Sequence, residues 1–330
     1  MEYWLDELLG LLALGVPLAV VSALIVGVMV RLGPADRPNA RSAHTRPVPK
    51  GGGLGPVVVT LAGVGLASRY PSALHGYGPS VAGAIIVAAV ALLDDLRNWP
   101  FTVKLAAQAT GAALVVGSGV SIDSAGSVPL GPLGPILSFC WIMYVTNAVN
   151  FMDGLNGLAA GTCAIAGLAF SFGTNSGTGP VGLALAAGLA GFLPFNYPRA
   201  RIFMGDVGSQ FCGFVLAVLA LIETQAPHPH WLIVPLALLV LLFDVAATLV
   251  RRLLAGERLT EAHRGHAYQL LHRCGVPAAW VTAMVWTLSA WGALCAAWAS
   301  WYVAIPLALA PVLLWTAWAW RRARTRLENW

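Results

Sequence analysis

Eleven apolar stretches, each close to the length a helix needs to cross a bilayer, follow one another along this chain and leave room for little else. A spanning helix takes about 20 apolar residues, within a range of about 17–25. The stretches fall near 8–30, 51–69, 79–93, 101–119, 132–150, 156–173, 179–195, 208–223, 231–250, 277–298 and 301–320. The third is short, with room to extend outward. Only 10% of the 330 residues are charged, against roughly 25% in soluble domains. With 58% of the chain hydrophobic, a soluble fold could not bury the surface. The expectation is an all-α, polytopic transmembrane helical bundle, one domain over 1–330. It has about eleven spans, with ten also allowed.

Charge distribution orients the bundle. Eighteen of the nineteen Lys and Arg residues fall in the odd-numbered connections or the C-terminal tail. The first connection holds Arg31, Arg37, Arg41, Arg46 and Lys50; later ones hold Arg97 with Lys104, and Arg199 with Arg201. Arg251, Arg252, Arg258, Arg264 and Arg273 follow the ninth stretch, and Arg321, Arg322, Arg324 and Arg326 close the chain. Arg69 stands on the other side. By the positive-inside rule the crowded side is cytoplasmic, with the N-terminus outside and the C-terminus inside. The net charge of +5 therefore orients helices, and no nucleic-acid partner is expected. No basic region precedes the first apolar run, so no cleavable signal peptide is expected. The five cysteines form no CxxC pair and read as small hydrophobes.

Polar motifs cluster on that same side. Asp94-Asp95 ends the third stretch. Two adjacent anions repel, and burial raises at least one pKa unless a cation sits between them; the alternative is a solvated helix end paired with Arg97. Asn147, Asn150 and Asp153 recur every third residue and share a face if helical. Such groups in membrane-buried sequence are expensive unless they bind something, or unless they join helices. Asp153-Gly154 and Asn156-Gly157 are turn signals, so the helix is expected to stop there. Asp206, after Gly205, either N-caps the next helix or stands where a phosphate approaches a Gly-flanked backbone.

His263-Arg264-Gly265-His266 would make a cationic hydrogen-bonding patch or an exposed loop. The surrounding acids and amides favour a hard, oxygen-bound ion over zinc. Lys104 either snorkels or grips a phosphate. Asp244 lies inside the ninth stretch, where a carboxylate is either functional or paired with Arg251 or Arg252. Together the motifs suit Mg²⁺, which binds through one or two carboxylates plus substrate phosphates, and phosphoryl transfer, which needs positioning and neutralisation.

The ordered set resembles the polyprenyl-phosphate N-acetylhexosamine-1-phosphate transferase superfamily. The residues that carry the likeness are Asp94-Asp95, Lys104 with Gln108, Asn147 to Gly157, Gly205 to Ser209, Asp244, and His263 to Gln269. Pro38 to His44 and Pro47 to Gly53 are similar to its O-antigen branch. The resemblance implies a multi-pass protein of the bacterial cytoplasmic (inner) membrane, with a cytoplasmic site. It implies transfer of a sugar 1-phosphate from a UDP-N-acetylhexosamine to polyprenyl (undecaprenyl) phosphate, releasing UMP, with Mg²⁺ or substituting Mn²⁺. Membrane lipids, and a homodimer partner, are compatible with it. Asp94, Asp95 and Asp206 would be catalytic, with Asp206 and Asp95 at the metal. Lys104 would hold phosphate, and Asn147, Asn150, Asp153 and Asn156 would line the donor site. His263, Arg264 and His266 would meet the diphosphate or sugar. Asn156 departs from the Asp frequent at its place. The muramoyl-pentapeptide branch carries a run of His where this chain has His263 to His266, which argues against a peptide-bearing donor. The rival class is a secondary transporter built on Asp244; transporters, however, place coupling residues at the midplane of paired repeats, and no repeat is visible.

Overall fold

A computed structural model describes residues 2–36, 46–67, 77–97, 99–126, 128–173, 178–226, 230–258, 261 and 263–327. Arg37, Arg41, Arg69, Asn98 and the Pro38 to His44 motif lie outside these. Thirteen helices are described: α1 (Glu2–Leu32), α2 (Leu54–Ala67), α3 (Tyr77–Arg97), α4 (Phe101–Gly117), α5 (Leu133–Phe151), α6 (Leu158–Gly173) and α7 (Gly179–Asn196) come first. Then follow α8 (Asp206–Thr224), α9 (Ile233–Ala237), α10 (Leu239–Leu254), α11 (Ala267–Arg273), α12 (Ala278–Trp298) and α13 (Trp301–Arg326). Two antiparallel two-residue ladders complete the described elements, β1 (Ala35–Asp36) with β2 (Val48–Pro49) and β3 (Ser124–Ala125) with β4 (Val128–Pro129).

By length and composition, six described helices can cross a membrane: α1, α3, α7, α8, α12 and α13, with shorter apolar helices in α2, α4 and α6. The chain is a multi-pass membrane protein. Its outer surface carries exposed Trp280, Trp291, Trp298, Trp301 and Leu314, as a lipid-facing wall requires.

α8 is the axis. Nearly every residue from Val207 to Leu221 is buried, as expected of a helix that is apolar all round. Small residues let its neighbours close in: Gly213 lies against the α5 backbone at Thr146, and Gly83 of α3 against Gly111 of α4. Alternating connections gather at opposite ends of the bundle. At one end Gln225 bonds the carbonyls of Gly119 and Ser121. At the other, Arg46, Val48, Lys50, Asp95, Asp153 and Asp206 surround one pocket.

Two expectations are corrected. The third stretch is not short: α3 runs 21 residues. The ninth, expected over 231–250, is two helices meeting at Leu238. The break falls beyond Pro235, which lies in the first turn of α9: Leu241 N turns to the Leu238 carbonyl at 2.9 Å in place of that of Ala237. Ser289 of α12 donates to the freed carbonyl of Ala237 at 2.7 Å, the kind of neighbour that makes a broken helix tolerable in lipid.

Candidate active site

A short parallel contact builds the floor of the site. Lys50 pairs with Phe203 as an isolated bridge, and Gly52 and Gly53 donate to the carbonyls of Phe203 and Met204 at 3.0 and 2.9 Å. The clamp delivers Gly205, whose φ of 75° favours glycine, to the start of α8. A Cβ there would also press on the Asp95 carboxylate. Asp206 was one candidate N-cap; it is instead the first helical residue, and Gly205 is the cap. The cap supplies no side chain, and Asp95 fills the role from α3: its Oδ2 accepts from Val207 N at 3.1 Å. An anion suits a helix N-terminus, and Lys50 approaches Asp95 Oδ1 at 3.5 Å.

Lys104 joins the two remaining acids. Its Nζ lies 2.8 Å from Asp94 Oδ2 and 2.6 Å from Asp206 Oδ2. These contacts are neither of its two expected roles, snorkelling or a grip on phosphate: the ammonium bridges two carboxylates. The Asp94–Arg97 alternative is excluded: Asp94 is buried and its ion pair is with Lys104. Asp94 Oδ1 is buried without a hydrogen-bond partner. Asn150 donates to Asp206 Oδ1 at 3.1 Å and to Ser209 Oγ at 2.9 Å.

α5 stops at Phe151, as the turn signals require. Asp153 therefore stands beyond the helix that carries Asn147 and Asn150, and the expected single face holds only two of the three. Gly157 N donates to Asn196 Oδ1 at 2.6 Å, and Asn196 donates onward to Ile202 O at 2.9 Å, which ties this turn to the approach to α8. Asn156 lines the pocket while its amide donates to Pro198 O at 3.1 Å.

The pocket is about 820 Å³ in volume and holds Asp95, Asn150, Asp153, Asn156 and Asp206 together. Its rim adds Arg46, Lys50, Arg199, Asn196 and His272; no role was foreseen for any of these, although Arg46, Lys50 and Arg199 stood in the cation-rich connections. Burial, then the Asp206 and Asp95 carboxylates, raise the Asp153 pKa well above the ordinary range. Ionised at neutral pH when unfolded, with a pKa of about 3.9, Asp153 carries a cost in the fold that vanishes below that pH. Asp153→Asn is therefore expected to raise the thermal midpoint of metal-free protein at pH 7. The gain should shrink towards zero as the pH falls to about 4. Unfolding curves that coincide at pH 7 would refute it.

Asn147 does not reach the pocket; it bonds Gln108 Oε1 at 2.7 Å. Nor do His263, Arg264 and His266 line it. The His loop docks beside the end of α5 instead: Tyr268 donates to Phe151 O at 3.1 Å, and the His266 and Tyr268 rings stack at 6.0 Å. Asp244 explains why. Its Oδ1 accepts from Ala267 N at 2.9 Å, its Oδ2 from Tyr268 N at 3.3 Å, and Thr248 adds a bond at 3.1 Å. The carboxylate anchors the start of α11; the pairing expected with Arg251 or Arg252 is replaced. Arg252 binds Glu257 at 2.7 Å and the carbonyls of Arg258 and Glu261, and Arg251 donates to Gly265 O at 3.0 Å.

The expected cationic patch is also corrected. Burial first, then His266 and Arg252, lower the His263 pKa to about 4. A neutral ring is required in any case, since Nδ1 accepts from Gly265 N at 3.2 Å.

Among the described residues no cluster of three metal-ligating side chains stands ready. The donor set is nevertheless oxygen-rich: carboxylates on α3 and α8, one with an unpartnered oxygen, beside an open pocket. It fits a hard cation that completes its shell with water and substrate phosphate.

The chain matches the model of glycosyl transferase family 4 over residues 79–224, the segment that carries Asp94 to Asp206. It is 33% identical over 296 residues to decaprenyl-phosphate N-acetylglucosaminephosphotransferase of Mycobacterium leprae, covering 76% of this chain and 73% of that protein. It is 30% identical over 290 residues, 82% and 80% of the two chains, to a Bacillus subtilis protein named "Probable undecaprenyl-phosphate N-acetylglucosaminyl 1-phosphate transferase". The chain belongs to the polyprenyl-phosphate N-acetylhexosamine-1-phosphate transferase superfamily. A third member, undecaprenyl-phosphate alpha-N-acetylglucosaminyl 1-phosphate transferase of Thermotoga maritima, is 26% identical over 238 residues, 72% of each chain. Asp94 and Asp206 are the acids that this fold brings around one lysine, Lys104, while Asp95 faces Lys50.

Proposed function

We propose that this chain transfers an N-acetylhexosamine 1-phosphate from a UDP-sugar to polyprenyl phosphate, releasing UMP, as the first membrane step of a cell-envelope polysaccharide. The observation that carries the reading is the Asp94–Lys104–Asp206 bridge beside an open pocket at one end of an apolar bundle. The relatives named above act, by their names, on undecaprenyl or decaprenyl phosphate. The pocket end is also the cation-rich end, holding Arg46, Lys50 and Arg199, which supports a cytoplasmic site in the bacterial inner membrane and eleven crossings.

In the mechanism we favour, an oxygen of the lipid phosphate attacks the β-phosphorus of the donor. The bond from that phosphorus to the bridging oxygen breaks, and UMP leaves with the electron pair. Lys104 and the rim cations Lys50, Arg46 and Arg199 hold phosphate oxygens as charge shifts, so catalysis is positioning and neutralisation. Asp94 orients the attacking phosphate through Lys104. Asn150 and Asn156 meet the donor. The His loop closes the side of the site through Tyr268 and Phe151 and carries no charge at His263. Asp206, with Asp95 beside it, would hold Mg²⁺, or Mn²⁺ in its place, which supplies neutralisation of the donor diphosphate when bound. Asp244 is fully engaged in anchoring α11, which removes the motive for a transporter reading.

The test gives purified full-length protein undecaprenyl phosphate and a panel of radiolabelled UDP-sugars. Label moving into the lipid phase, with one UMP released per sugar transferred, is the expected result. Sugar or ion uptake into proteoliposomes without UMP release would overturn it.

A further inference from the structure

Three amides, two of them buried, lie beside Asp206, and the proposed transfer uses none of them. Asn147 of α5 donates to Met143 O at 2.8 Å and to Gln108 Oε1 at 2.7 Å. Gln108 of α4 donates from Nε2 to Gln210 Oε1 at 3.0 Å. Gln210 of α8 donates from Nε2 to Asp206 Oδ2 at 3.2 Å. Gln108 and Gln210 are each 2% exposed. Such groups are costly in a helix bundle within lipid unless a role repays them.

The two ends dictate the direction of this chain. An ionised Asp206 only accepts, so Gln210 must present its NH₂ there and its carbonyl to Gln108. Gln108 must then turn its NH₂ to Gln210 and its carbonyl to Asn147. The Met143 carbonyl also only accepts, which leaves Asn147 donating both ways. Every dipole between Asn147 and Asp206 points the same way, and successive bonds of this kind polarise one another. Asp206 ends up with Oδ2 held by Lys104 and Gln210 and Oδ1 by Asn150, so its carboxylate plane cannot turn.

We infer that Gln108 and Gln210 are positioning residues for Asp206, acting in series as a one-way amide relay that fixes its carboxylate for the transfer. The inference rests on the reading of Asp206 as a participant in the reaction. Gln210→Met, Gln108→Met and the double variant keep side-chain volume and remove the relay. In full-length protein, kcat for UMP release should fall roughly 10- to 100-fold for Gln210→Met, the size expected when a bond to a charged group is lost. A smaller drop is expected for Gln108→Met, with KM for donor and lipid within about threefold in both.

Because the residues act in series, the double variant should match Gln210→Met alone. A purely structural role would multiply the two losses or move KM and the unfolding midpoint together, and either result overturns the inference. So would wild-type kcat from folded Gln210→Met. If Gln210→Met does not fold, Asn147→Leu removes the first donor without altering a residue that lines the pocket; an unchanged kcat there overturns the inference as well. Asp206→Asn is the control. If it retains turnover, the reading of Asp206 fails; if it is inactive while Gln210→Met is not, only the relay fails.

Discussion

Asp206→Asn is expected to lose UMP release by roughly 10²–10³-fold or more, the cost of removing one preorganised charge-stabilising group, while remaining folded. Three donors converge on this carboxylate: Lys104 at 2.6 Å, Asn150 at 3.1 Å and Gln210 at 3.2 Å. An amide of the same shape must turn its own NH₂ towards one of them, which sets donor against donor. It also removes the charge that pairs Lys104 with α8. The fold should survive, because the cap of α8 is Gly205 with Asp95 and the packing volume is unchanged. Asp94→Asn should behave alike, since it breaks the other half of the same bridge. The measurement is turnover beside a thermal midpoint for each variant. Wild-type rates from either folded variant would remove the site assignment.

Chelation is expected to abolish activity. With excess EDTA, UMP release should fall to background, and added Mg²⁺ or Mn²⁺ should restore it. The reason is charge. A donor must settle beside the Asp95 and Asp206 carboxylates, which line the same pocket. Asp153 already shows the strain, its pKa raised by burial and by the neighbouring carboxylates. A donor diphosphate brings further negative charge into this space. At about 4 Å, two unit charges repel by about 4 kcal/mol at an effective dielectric of about 20, and one of the rim cations, Lys50, already faces Asp95. Turnover that persists through exhaustive chelation would exclude the oxygen-bound cation.

The bundle was legible because its signal is additive over long windows. Apolar runs of about 20 residues survive errors of a few positions, so most of the expected spans coincide with helices. The exception was local. The ninth run divides into α9 and α10 at Leu238, and hydropathy averages over the break. The acidic motifs were legible for another reason: Asp94, Asp95, Asp153 and Asp206 interrupt apolar sequence, where charge is expensive. Asn147 and the His loop were expected at the substrate, and neither is among the residues lining the pocket. Periodicity places Asn147 on the face of Asn150 but does not say that Gln108 is nearer than Asp206. Gln210 was overlooked although it stands one turn after Asp206. A lone Gln in an apolar helix reads as ordinary until its partners are known.

The amino-acid sequence alone determined that this chain is a helical membrane protein and which connections share a side, because both follow from solvent transfer of whole segments. It also determined which acids were worth watching. Only the tertiary structure decided what each polar atom touches. It gave Asp95 to the start of α8, Asp244 to the start of α11, a neutral ring to His263 and a shared lysine to Asp94 and Asp206. Those outcomes depend on ångström-scale distances between segments up to 100 or so positions apart, such as Lys104 and Asp206 with |i−j| of 102. Hydrogen bonds and ion pairs are short-ranged and directional, so composition and spacing carry no record of them.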